Sequence, residues 1–94
     1  MSQQEKENNS VTFKIEQHFG VLSTAASGWR TELNLVSWNG MEPRYDIRDW
    51  SPTYHKMSKG ITLTFDEAEM LAEVLPEAVK ERAVFSPEFS QAAE

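Results

Sequence analysis

Residues Lys59–Leu75 read KGITLTFDEAEMLAEVL, and within this stretch the chain changes period. Ile61, Leu63 and Phe65 alternate with Thr62 and Thr64, the two-residue repeat of a strand with one apolar face, which predicts a strand over Gly60–Phe65. From Ala68 the apolar residues recur at spacings of three and four, through Leu71, Ala72, Leu75 and Val79, as on a helix with a single apolar stripe. Thr64-Phe65-Asp66-Glu67 fits a capping box between the two, and its early acids suit the positive end of the helix dipole. Pro76 should kink or divide this helix, because its ring removes a backbone donor.

Reading back from that boundary, Arg44–Trp50 (RYDIRDW) is a third strand, closed by Ser51-Pro52 and followed by a polar loop over Thr53–Ser58. Asn39-Gly40 tolerates the positive φ of a tight hairpin turn, with Pro43 lengthening the connection. Trp29–Trp38 alternates as a second strand, Ala25–Gly28 is a turn, and Val11–Ser23 is a first strand, interrupted or ended near Gly20. The order is therefore four antiparallel strands and then one helix, an α+β class. The helix stripe is expected to pack on the apolar sheet face, and a chain this short favours a homodimer through helix and sheet.

Residues 1–10 (MSQQEKENNS) read as a disordered polar arm, 11–83 as the folded domain, and 84–94 as a flexible acidic tail anchored only by Phe85 and Phe89. The 94 residues contain no cysteine, which excludes disulfides, thiolate metal sites and a cysteine nucleophile. With no apolar run near the roughly 18 residues of a membrane span, a cytoplasmic protein is expected.

The net charge of −6 argues at first against a nucleic-acid partner. Its placement reverses that. Residues 1–64 balance seven basic against seven acidic side chains, and the whole deficit lies in 65–94. Between Arg44 and Gly60 the balance is positive, from Arg44, Arg48, Lys56 and Lys59 against Asp46 and Asp49.

Alternation assigns faces. If Leu33 and Leu35 look toward the helix, Arg30, Glu32, Asn34, Val36 and Trp38 look away, and in the third strand so do Asp46, Arg48 and Trp50. Tryptophan beside guanidinium on an open sheet face is the chemistry that stacks unpaired bases and holds their phosphates. Lys56 and Lys59 add charge, and Gly60 leaves room for a phosphate to approach the backbone. A structural reading stands beside it: Trp38 and Trp50 can bury each other or line a dimer interface, and Arg48 can pair with Glu32 or Asp46. His18 and His55 lack metal-ligand spacing, and the helix carboxylates form a solvated face. No metal site, cofactor, catalytic group or enzymatic activity is expected.

The run Tyr45–Trp50 (YDIRDW), then Lys59–Leu63 (KGITL), then a capped helix, resembles the transcriptional positive cofactor four (PC4/p15-like) family and its bacterial YdbC-like branch, over roughly Phe13 to Pro76. The resemblance implies a curved ββββα sheet-and-helix fold, a homodimer built largely through the helices, and sequence-tolerant binding of single-stranded DNA. It places Trp38 at the family's aromatic before the hairpin glycine, Arg48 at the arginine of DIR, and Lys59 at the lysine of KGI. Trp50 stands at the aromatic pair closing the third strand, although Ser51 follows it here, and Ser58 replaces a basic residue before KG. The first strand is longer than in eukaryotic members and no serine-rich region precedes it, so coactivator activity is not carried over.

The expectation is a homodimer that binds single-stranded DNA in replication, repair or transcription regulation, with Trp38, Arg48, Trp50, Lys59, Lys56, Arg30, Arg44 and Gly60 as contacts. Single-stranded RNA on the same surface is the alternative, since stacking discriminates poorly between the sugars. A protein-interaction module acting through the acidic helix or tail is another.

Overall fold

The computed structural model describes residues 11–92, with side chains described through residue 82. The N-terminal arm and the side chains of Phe85 and Phe89 lie outside the described residues. Four strands, β1 (Phe13–Thr24), β2 (Arg30–Trp38), β3 (Arg44–Trp50) and β4 (Met57–Leu63), form one antiparallel sheet in sequence order, and α1 (Phe65–Ala92) follows. Sheet and helix are separate units, meeting in sequence between Thr64 and Phe65.

The turns follow from local chemistry. Asn39 and Gly40 both take positive φ, at 52° and 75°, and the Met41 N–H donates to the Trp38 carbonyl to close the turn. Asn39 also ties down the start of β1: its side-chain oxygen accepts from the Thr12 N–H (3.0 Å) and its own N–H donates to the Thr12 carbonyl (2.8 Å). At the opposite end Gly28, with φ 96°, turns the chain from β1 into β2.

β1 departs from the expected simple alternation. Its 12 residues face the 9 of β2, and the excess is taken up by three register shifts that leave Glu16, Phe19 and Leu22 as bulged residues. Gly20 does not interrupt the strand. Each bulge bends and twists its strand, so three in succession curl the sheet. The curl is visible in one contact. Phe13 pairs with one end of β2, at Trp38, and Trp50 with the other, at Arg30. In a flat sheet the 9 residues of β2 would hold those positions roughly 26 Å apart, yet the Phe13 and Trp50 rings are 5.1 Å apart.

The interior of the curl is the face expected to look outward. Glu32, Asn34, Val36, Asp46 and Trp50 are fully buried, whereas Leu33, Leu35, Tyr45 and Ile47 on the opposite face are half-buried and Ile61 is exposed. The grouping of residues into faces holds, since β3 pairs Ile47 with Leu33 and Tyr45 with Leu35. What alternation does not report is which way a sheet bends.

β4 begins at Met57, three residues before its expected start, and one register shift separates the Arg48–Gly60 pair from the Trp50–Met57 pair. Ser58 is locked at this irregularity: its hydroxyl accepts from the Asp49 N–H and donates to the Lys59 carbonyl. α1 starts directly after Thr64 with Asp66 and Glu67 in its first turn, as the capping pattern requires. It is not divided at Pro76, and it continues through Ser86–Ala92, where a loose tail is expected from sequence. Leu71, Val74, Leu75 and Val79 are exposed in the single chain.

Candidate nucleic-acid interface

Two buried carboxylates organise the inner face. Glu32 accepts hydrogen bonds from Arg30 Nε (2.8 Å), the Tyr54 hydroxyl (2.7 Å) and the Asn34 amide (3.1 Å). His18 Nδ1, from β1, lies 2.7 Å from Asn34 Oδ1 and 3.4 Å from Glu32 Oε1. Asp46 is gripped by Arg48 through two nitrogens, at 2.7 and 2.8 Å, and accepts a third bond from the Thr62 hydroxyl at 3.1 Å. Arg48 also donates to the Ser58 carbonyl at 3.2 Å. A buried carboxylate is tolerated only when donors replace its lost water, and both sites meet that condition.

The charge states follow. Burial pushes the Glu32 carboxyl up, but the hydrogen bonds from Arg30, Tyr54 and Asn34 outweigh it and hold the group below its ordinary value. Tyr54 is raised, by burial and by donating to Glu32, and Arg30 is raised chiefly by its bond to Glu32. Tyr54 sits at φ 64°, an uncommon conformation for a bulky residue. Its N–H bond to the Ser51 carbonyl, its hydroxyl and its ring contacts together hold it there.

Between the two arginines runs a continuous ladder of rings. The Arg48 guanidinium lies 4.5 Å from the centre of the Trp38 ring, Trp38 is 6.0 Å from Phe13, Phe13 is 5.1 Å from Trp50, Trp50 is 5.6 Å from Tyr54, and Tyr54 is 5.1 Å from the Arg30 guanidinium. Both ends are fixed by the buried carboxylates. The indole N–H groups of Trp38 and Trp50 are buried within the inner face without an acceptor.

Four of the sequence-chosen residues, Trp38, Arg48, Trp50 and Arg30, are thus brought together, but not as an open surface. Trp50 is completely buried between Phe13 and Tyr54, so the expectation that it stacks bases from an exposed face is corrected: the curl folds it inside. Arg48 and Arg30 are paired with Asp46 and Glu32, each two residues away on the same strand and therefore on the same face. Arg48 pairs with Asp46 and not with Glu32. Gly60 has an intramolecular reason to be glycine, because a Cβ there would collide with Arg48 Cβ and the Ile47 carbonyl across the β3–β4 pair. Trp38 remains half-buried, and Arg44, Lys56 and Lys59 are exposed, their charges unpaired among the described residues.

Sequence reasoning missed Phe13 and Tyr54 as partners of the tryptophans, and His18 as a member of the Glu32 cluster. Phe13 faces Trp38 only once the bulges of β1 are counted, and Tyr54 reaches the inner face from a loop that has no period. Among the described residues no cluster of His, Asp and Glu could hold a metal ion, and no helix is long and apolar enough to cross a membrane.

The chain has relatives. An uncharacterized protein of Treponema pallidum (strain Nichols) is 44% identical over 68 residues, which cover 72% of this chain and 80% of that protein. The model of the family described as Transcriptional Coactivator p15 (PC4) matches residues 25–74. That span runs from the β1–β2 turn through β2, β3 and β4 into α1; β1, with its three bulges, precedes it. A match over more than half of the sequence, in the elements that carry the inner face, makes this chain a member of the transcriptional coactivator p15 (PC4) family.

Proposed function

We propose that this protein binds single-stranded DNA across its sheet, without sequence preference and as a homodimer, in processes that expose unpaired strands: replication, repair or transcription. The family binds single-stranded DNA and is not enzymatic. The observation that carries the reading is a half-buried Trp38 under the Arg48 guanidinium, on a sheet whose strands β3 and β4 carry exposed Arg44 and Lys59, with exposed Lys56 in the loop just before β4. A tryptophan of that kind offers stacking to an unpaired base, and mobile exposed cations offer phosphate contacts. Duplex hides the base faces, so a single strand is the partner this chemistry fits. Pairing through α1 is supported by the exposed Leu71, Val74, Leu75 and Val79, an apolar stripe that a second copy would cover.

The contacts are divided by what the network leaves free. Arg48 and Arg30 position the rings, and Arg44, Lys56 and Lys59 meet the phosphates. Changing the last three together to alanine weakens oligo-dT binding and lowers the slope of log affinity against log salt by about 2, at roughly 0.7 per lost phosphate contact on a single strand. An unchanged salt slope would contradict this assignment.

A further inference from the structure

Resting on that proposed function, we infer that Tyr54 is a positioning residue for strand binding: by donating its hydroxyl to the buried Glu32, it holds the loop of residues 51–56 in the shape that presents Lys56 to a phosphate of the strand. This loop (SPTYHK) joins Trp50, the last residue of β3, to Met57, the first of β4. Its base is closed by two bonds: the Ser51 N–H donates to the Lys56 carbonyl at 2.9 Å, and the Lys56 N–H donates to the Ser51 hydroxyl at 3.0 Å. The backbone of Lys56 is thus tied on both sides to Ser51, which is buried, while Lys56 itself is exposed. Pro52 packs on the turn between β1 and β2, where a Cβ on Gly28 would stand 3.1 Å from its Cγ.

The tip of the loop is where the backbone departs from ordinary geometry. Tyr54 takes φ 64°, a left-handed conformation that glycine or asparagine adopts at far less cost. Where a loop has only to join two strands, either of those residues would avoid the strain. Tyrosine is kept here by contacts that leave the loop: its ring lies 5.6 Å from Trp50 and 5.1 Å from the Arg30 guanidinium, and its hydroxyl ends on Glu32 at 2.7 Å. Strain of this kind persists where the surroundings over-determine it, and it concentrates at functional sites. What the hydroxyl adds to the ring contacts is a tie between the loop and Glu32, the carboxylate that also holds Arg30. The next two residues are His55 and Lys56, both exposed, and the turn at Tyr54 sets the direction in which the chain carries them. A cation held on a preset loop meets a phosphate without the ordering cost of a free loop. Arg44 stands at the first residue of β3, the end far from this loop, and is outside the reach of the device.

The test is a pair of double-mutant cycles on the full-length chain, read by oligo-dT titration at several salt concentrations. Tyr54→Phe keeps the ring and removes the hydroxyl. It is expected to weaken oligo-dT binding about three- to ten-fold, the ordering cost returned to the loop, and to lower the slope of log affinity against log salt by about 0.7, one phosphate contact on a single strand. Lys56→Ala should do the same, and the two together should be no worse than either alone, since each removes the same contact. Arg44→Ala combined with Tyr54→Phe should instead be additive. A purely structural role for Tyr54 predicts additive effects in both cycles and a salt slope unchanged by Tyr54→Phe. If Tyr54→Phe is too unstable to titrate, Glu32→Gln, which weakens the same hydrogen bond by removing the charge of its acceptor, carries the same pattern in a smaller degree. Additivity of the Tyr54 and Lys56 substitutions, an unchanged salt slope, or a Lys56→Ala chain that binds like the unsubstituted one, would overturn the inference while leaving strand binding by the sheet intact. Absence of oligo-dT binding by the unsubstituted chain would overturn the proposed function, and the inference with it.

Discussion

Glu32 and Asp46 are the residues on which the inner face depends, and each makes a prediction. Removing Arg48 leaves Asp46, fully buried, with the Thr62 hydroxyl as its remaining side-chain donor. Arg48→Ala is therefore expected to destabilise by about 3–5 kcal/mol in urea unfolding, the cost of an uncompensated buried charge. Loss of oligonucleotide binding in that variant would report folding as well as contact, which is why the exposed cations are the cleaner probes. Glu32 gives a pH signature. Its carboxyl is held below the ordinary 4.5, so the stability it contributes is present above that pH and is lost as pH falls through the lowered native value. Tyr54 has the opposite sign: held above 10.0, it contributes stability below that pH which is lost as pH rises through the raised value. Glu32→Gln should flatten the acid limb of stability against pH and Tyr54→Phe the alkaline limb, measured by thermal unfolding across the range. Limbs unchanged by these substitutions would contradict the network. Gly60→Ala sets a Cβ against Arg48 and the Ile47 carbonyl and is expected to cost about 1–3 kcal/mol by the same unfolding measurement.

At the scale of elements, local chemistry was legible and curvature was not. β3 has the bounds its alternation gives, Arg44–Trp50, and α1 begins where the Thr64 cap requires. Asn39 and Gly40 adopt the positive φ that their residue types favour. For β1 the sequence predicts a strand interrupted or ended near Gly20, whereas the structure carries the strand past Gly20 and places three bulges along it. From that one feature comes the larger difference: a strand with three extra residues curls the sheet, and the curl turns the polar face inward. Alternation says which side chains share a face, while burial depends on bending, which arises between strands. Trp50 was misplaced for that reason, and Phe13 and Tyr54 were overlooked because their contacts cross the curl. For α1, the exposed Leu71, Leu75 and Val79 lead to a direct expectation. Leu71→Glu with Leu75→Glu should convert a dimer into a monomer in sedimentation, with the helix retained by circular dichroism; a wild-type chain that already sediments as a monomer would contradict the pairing.

Across the whole molecule, the charge of −6 is divided between a neutral sheet segment and an acidic helix with its C-terminal residues. In the proposed binding mode the exposed Arg44, Lys56 and Lys59, all within the neutral segment, meet the phosphates, and the acidic excess of residues 65–94 contributes no phosphate contacts. Binding of unpaired strands by the sheet is tested by titrating the intact protein with a fluorescent oligo-dT strand and with the matching duplex at two salt concentrations. The expected result is tight, salt-weakened binding of the single strand with a change in tryptophan fluorescence, and markedly weaker binding of the duplex. Equal affinity for both, or binding without a change in tryptophan fluorescence, would contradict it.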